Sequence, residues 1–91
     1  MSTHPPTTKT AVVTGASGEL GRVISRTLAA CGARLALQYL NNEAKAQTVA
    51  GEIAKLGGEA KIFRADVTAE DSVKKMGEAV HKAFGDPDII V

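Results

Sequence analysis

Residues 14–21 read Thr14-Gly15-Ala16-Ser17-Gly18-Glu19-Leu20-Gly21, three glycines at three-residue spacing between a short apolar run and a longer stretch of helical period. Ahead of them, Thr10 to Thr14 (T-A-V-V-T) has the β-branched, apolar character of a central strand buried on both faces. Behind them, Leu20, Val23, Ile24, Thr27, Leu28 and Cys31 recur at helical spacing up to Gly32, which predicts a helix with those six residues on its buried stripe. A glycine-rich turn that joins a strand to a helix is the arrangement that holds a dinucleotide pyrophosphate. Gly15 permits the tight turn, Gly18 lets the backbone approach the phosphates without a side chain in the way, and Gly21 lets the helix pack closely on the sheet. The helix N-terminus adds free N–H groups and a partial positive charge. Ser17 and Leu20, in the same turn, join the three glycines as cofactor-binding candidates. No Gly-Lys-Ser/Thr follows, so the turn is not a P-loop.

Outward from the turn, β-rich runs alternate with helical ones. Arg34 to Tyr39 and Ala60 to Ala65 read as further strands, and Asp88 to Val91 begins a fourth. A second helix runs from about Asn42 with Ala46, Val49, Ile53 and Leu56 inward, and stops at Gly57-Gly58. A third starts at Thr68, a good N-cap, with Glu70 and Asp71 in the first turn and Val73, Met76, Val80 and Phe84 as its apolar stripe. The order β-α-β-α-β-α-β predicts an α/β fold, a Rossmann-type doubly wound parallel sheet with strand order 3-2-1-4. Residues 1–9, rich in Ser, Thr and Pro, read as a flexible leader, and residues 10–91 as part of a single dinucleotide-binding domain. Ile89, Ile90 and Val91 read as the middle of a buried strand, so the natural chain is expected to continue, and this apolar edge is expected to promote aggregation.

Composition narrows the function classes. At 91 residues there is room for one hydrophobic core and none for a separate substrate domain. The content, 44% hydrophobic and 23% charged, is that of a folding chain, which excludes disorder and fibrous repeats. Eleven basic residues against ten acidic ones, with the signs interspersed, give no stripe for nucleic acid or an anionic membrane. No apolar run approaches the roughly 18 residues of a membrane span. A single cysteine, Cys31, and no zinc-spaced Cys/His cluster fit a reduced, cytoplasmic setting. His4 in the leader and His81 off the third helix's stripe read as solvated residues.

With T-G-A-S-G-E-L-G-R at 14–22, A-D-V-T at 65–68 and D-P-D-I-I-V at 86–91, the chain resembles the N-terminal half of a short-chain dehydrogenase/reductase from Thr10 onward. The glycine spacing looks more like the extended subfamily, because Glu19 stands where the compact pattern T-G-x-x-x-G-x-G has glycine. The A-D-V-T segment and the short βα units look more like the compact subfamily, similar to 3-oxoacyl-carrier-protein reductases, and this reading is favoured. The resemblance implies that Asp66 accepts a hydrogen bond from the adenine amino group and that the backbone at Val67 flanks the ring.

In such folds the end of the second strand separates NAD from NADP, because an Asp or Glu there holds a ribose 2′-hydroxyl and repels a 2′-phosphate. The stretch here is Gln38-Tyr39-Leu40-Asn41-Asn42, with no carboxylate before Glu43 and no Arg or Lys. Asn41 and Asn42 are candidate donors to a 2′-phosphate, and Tyr39 is either an adenosine contact or a β-former at a strand end. NADP is favoured over NAD. The family's reaction is hydride transfer between nicotinamide and a carbonyl or alcohol carbon, and its members are commonly homo-oligomers. Its catalytic Asn, Ser and Tyr-x-x-x-Lys fall beyond Val91, so no catalytic residue is assigned and the 91 residues alone are expected to be inactive. A non-catalytic dinucleotide-binding module and a degenerate truncated product are the alternatives.

Overall fold

The computed structural model describes residues 9–91; His4 and the rest of the expected leader before Lys9 lie outside them. Seven elements follow in the order β1 (Thr10–Val13), α1 (Glu19–Ala30), β2 (Arg34–Tyr39), α2 (Glu43–Lys55), β3 (Ala60–Arg64), α3 (Glu70–Phe84) and β4 (Ile89–Ile90). All strands pair in parallel, in the order β3-β2-β1-β4, which is the expected Rossmann-like topology. Val12 stands beside Ala36 of β2 and Ile90 of β4, so β1 is an interior strand.

Because side chains alternate along a strand, the sheet has two cores. Ala11, Val13, Leu35 and Leu37 face Val49 and Ile53 of α2, with Ile24, Leu28 and Ala29 of α1 packed against them. Val12 and Ala36 face the other way, against Val80 and Phe84 of α3, with Phe63 and Met76 at the margin. Helices on both faces make the sheet doubly wound.

Three expectations about the helices need correction. Leu20, Val23, Thr27 and Cys31 are exposed rather than on a buried stripe, Leu20 at 73%. The buried face of α1 is rotated to its small residues Gly21 and Ser25, whose hydroxyl donates to the Gly21 carbonyl at 2.6 Å. Cys31 is the C-cap, beyond the last helical turn. Leu56 likewise caps α2 and is 62% exposed, because Ala46, Val49 and Ile53 already fill the inward face. Thr68 is not the cap of α3, and Val73 is exposed. That helix starts after Ala69, while the Thr68 amide and hydroxyl both donate to Asp66 Oδ1, at 2.9 and 2.6 Å. At the sheet edge Ile89, Ile90 and Val91 are exposed, as the open fourth strand implied.

Gly21 is where α1 meets the turn after β1. A Cβ there would lie 2.3 Å from the Gly15 carbonyl oxygen and 2.8 Å from the Ala16 Cα, both backbone atoms that cannot swing aside. Gly51, inside α2, has nothing within 4 Å of its own missing Cβ. Gly21→Ala should therefore destabilise the chain by about 1–3 kcal/mol through overpacking. Gly51→Ala should stabilise it by about 0.5–1 kcal/mol through helix propensity. Urea denaturation of the two variants beside the parent checks the opposite signs.

Candidate functional site

The C-terminal ends of parallel strands collect the loops, and here three of them converge. Val13 ends β1, and Gly15 turns the chain with a φ of 65°, a left-handed conformation that costs a side-chain-bearing residue energy. Gly18 N donates to the Gly15 carbonyl at 3.1 Å, closing the turn, and Gly18 becomes the N-cap of α1. No side chain caps this helix. At α2, by contrast, the Asn42 side chain accepts from the Lys45 amide at 3.2 Å. The first turn of α1 thus presents backbone donors that no side chain satisfies, the arrangement that favours an anion. Glu19, exposed in that same turn, already places one negative charge near the helix terminus.

An open cleft of about 500 Å³ lies beside this turn, lined by Thr14, Gly15, Ser17, Gln38, Tyr39, Leu40, Asn41, Asn42 and Val67. It brings together the candidates Gly15, Ser17, Tyr39, Asn41, Asn42 and Val67 from three loops. Gly18 and Leu20 lie in the adjoining turn and are exposed, while Gly21 is buried beneath it and holds the turn by packing. Asn42 is committed as the helix cap through its Oδ1. Tyr39 is only 7% exposed, which leaves a ligand little of its ring to touch. Burial first, and then the Glu43 carboxylate that hydrogen-bonds it, raise its phenol above the ordinary value.

Asp66 follows β3 at the margin of the cleft. Its carboxylate accepts two hydrogen bonds from Thr68, side chain first and then backbone, and these hold its pKa below the ordinary value against the opposing effect of desolvation. Its own amide donates to Ser72 Oγ at 2.8 Å, which ties the segment to the start of α3. The carboxylate is therefore anchored and anionic at neutral pH.

Sequence reasoning passed over Gln38. It is 4% exposed, and its side chain spans the site: Oε1 accepts from the Gly15 amide at 2.7 Å, and Nε2 donates to the Ala65 carbonyl at 2.6 Å. Its backbone carbonyl accepts from the Ala16 amide at 3.0 Å. One residue of β2 thus fixes the glycine turn relative to the segment that carries Asp66 and Val67. The available signal was a glutamine at a strand position whose neighbours are all apolar, since a buried amide needs partners.

Among the described residues no group of three or more His, Cys, Asp or Glu is placed to hold a metal, and no helix is long and apolar enough to cross a membrane. His81 is exposed at the end of α3, its Nδ1 2.8 Å from Asp86 Oδ1.

With this geometry in place, comparison with known proteins decides the family. The model for short chain dehydrogenases matches residues 9–91. The chain belongs to the short-chain dehydrogenase family. It is 40% identical over 83 residues to a hydroxynaphthalene reductase-like protein of Metarhizium anisopliae, covering 91% of this chain and 31% of that one. It is also 40% identical over 83 residues to a 3-oxoacyl-[acyl-carrier-protein] reductase of Staphylococcus epidermidis, covering 91% of this chain and 34% of the relative. Among solved structures, a metagenomic short-chain oxidoreductase in complex with NADP superposes with a TM-score of 0.84 at 36% identity, over 90% of this chain and 37% of that one. The chain therefore spans about a third of the length of the curated relatives it matches.

Two outcomes follow for this short-chain dehydrogenase chain. Gln38→Met keeps the volume but leaves the Gly15 amide and the Ala65 carbonyl without partners, so it should cost about 1–3 kcal/mol of stability and speed hydrogen exchange at Gly15, measurable by NMR. Acid should destabilise the fold through Asp66 and Glu52, both of whose pKa values are lowered in the folded state, Glu52 chiefly by its hydrogen bond with Arg22. Their stabilisation is complete above the ordinary values, 3.8 for Asp66 and 4.5 for Glu52, and drains away as pH falls through the lower folded-state values. Asp66→Asn should flatten that part of a stability-against-pH curve followed by circular dichroism.

Proposed function

We propose that this chain is the cofactor-binding N-terminal part of an NAD(P)-dependent oxidoreductase, with NADP favoured over NAD. The observation that carries the reading is the left-handed turn at Gly15 leading into a helix N-terminus that no side chain caps, at the lip of a cleft. The residues present fit a dinucleotide. Gly18 has an ordinary extended backbone conformation, and a Cβ there would meet only the Gly15 oxygen, at 3.5 Å, so neither φ nor internal packing demands a glycine. A requirement for open space above the turn accounts for it, and a pyrophosphate would use that space.

In this reading Gly15, Ser17, Gly18 and Leu20 line the pyrophosphate side through their backbone, and Gly21 supports them from below. Asn41 and Asn42 face the adenosine ribose, with Tyr39 beneath. Asp66 accepts from the adenine amino group through a carboxylate that Thr68 orients, and Val67, exposed at the cleft, flanks the ring. The bound nicotinamide dinucleotide would supply hydride exchange with a carbonyl or alcohol carbon. The described side chains of the cleft position and orient the cofactor, and none of them supplies an acid/base pair for that exchange. The substrate side, and the homo-oligomer common in the family, belong to the whole protein rather than to these residues. The A-D-V-T segment and the likeness to a 3-oxoacyl-carrier-protein reductase support the compact subfamily.

Titration of the 91-residue chain with NADPH, followed by nicotinamide fluorescence, tests the reading. Saturable binding without turnover is expected. Gly15→Val, which puts a β-branched residue at a φ of 65°, should weaken binding at least about tenfold, a loss of about 1.4 kcal/mol. Unchanged affinity in that variant would remove the pyrophosphate assignment, and no affinity in the parent would leave a degenerate product as the better description.

A further inference from the structure

The stretch that meets the adenosine ribose, Gln38 to Asn42, contains no cation, although a 2′-phosphate calls for one. The fold supplies a guanidinium from another strand. In the sheet register Tyr39 of β2 stands beside Arg64 of β3, and laterally paired residues direct their side chains to the same face. Arg64 then leans across the end of β2, where its Nε donates to the Leu40 carbonyl at 3.1 Å. Leu40 is itself part of the cleft wall, between Tyr39 and Asn41. The guanidinium also acts electrostatically on the Tyr39 phenol, opposing the Glu43 carboxylate.

Among the described residues the two Nη groups of Arg64 have no partner, and the residue is exposed. A guanidinium has five donors in a planar fork that matches a phosphate, and here one of the five is spent on orientation. Asn41, exposed on the same lip, adds a neutral donor.

We propose that Arg64 is the specificity-determining residue for the 2′ substituent of the adenine ribose, pairing through its Nη groups with a 2′-phosphate while Leu40 holds the guanidinium in place. The inference rests on the dinucleotide reading of the cleft and adds to it the residue that reads the phosphate. It also explains how a second strand without a basic residue at its end can favour the phosphorylated cofactor.

Calorimetric titration of the 91-residue chain with 5′-AMP and with 2′,5′-ADP, which differ only in the 2′-phosphate, isolates this contact. The parent should bind 2′,5′-ADP about tenfold more tightly than 5′-AMP, the size expected of a hydrogen bond to a charged group. Arg64→Gln should bring the ratio to about one through loss of 2′,5′-ADP affinity, with 5′-AMP affinity held within about twofold. Arg64→Lys keeps the charge without the fork and should retain an intermediate ratio that falls with added salt. Because Arg64 is exposed, both variants should keep the parent's circular dichroism spectrum. A preference that survives in Arg64→Gln, or a parent that binds the two nucleotides equally, overturns the inference and leaves the cofactor reading standing. A parent that binds neither nucleotide overturns both.

Discussion

A hydrogen atom at Gly21, where other residues carry a Cβ, lets α1 settle against the Gly15 carbonyl, and the rest of the site is built on that approach. The contact fixes the rotation of the helix. With Gly21 and Ser25 facing the sheet, the larger Leu20 and Val23 are turned toward solvent, although their hydrophobicity alone argues for burial. Close approach of backbone to backbone at Gly21 is compatible with packing of Ile24, Leu28 and Ala29 of the same helix against the core. The same contact aims the helix N-terminus at the cleft, so a packing constraint also sets the direction of the helix dipole.

Polar wiring carries this geometry across the sheet. Gln38 occupies a buried position between Leu37 and Tyr39 of β2, and it bonds to the turn after β1 and to the segment after β3. Beyond it, Asp66 is tied to Thr68 and Ser72, which join the end of β3 to the start of α3. The three loops at the C-terminal end of the sheet are therefore held by directional bonds more than by apolar contact. A buried amide whose donor and acceptor are both used is costly to disturb, which gives this end of the molecule rigidity despite its exposure to solvent. At the opposite end, Thr10 receives the Arg34 guanidinium at 3.2 Å and donates its amide to Asp88 at 2.9 Å, so polar bonds close both ends of the central strand.

The electrostatics of the cleft are assembled from separate places in the sequence. The wall itself is neutral, the helix terminus brings a partial positive charge, Glu19 opposes it, and Arg64 reaches in from β3. In the reading proposed above, discrimination between cofactors would rest on side chains that lie far apart along the chain.

Strand and helix identity, the parallel topology and the location of the glycine turn were all legible in the sequence, because each rests on local periodicity and on residue types with narrow backbone preferences. Ala11, Val12 and Val13 alternate between two apolar cores, and Val49 and Ile53 fall on a single helical face, so burial follows directly from spacing. The resemblance of T-G-A-S-G-E-L-G-R and A-D-V-T to short-chain dehydrogenases pointed to the family that the comparisons show. What tertiary structure alone decided were the contacts between elements: the rotation of α1, the exposure of Cys31 and Leu56, the bonding of Thr68 to Asp66 in place of a helix cap, the bridge made by Gln38, and the arrival of Arg64 beside Tyr39. Periodicity shows that a helix has an apolar side, but a close backbone approach decides which residues are pressed inward. Likewise, a cation missing from one loop can be supplied by the strand paired next to it, a juxtaposition that exists only once the sheet has formed.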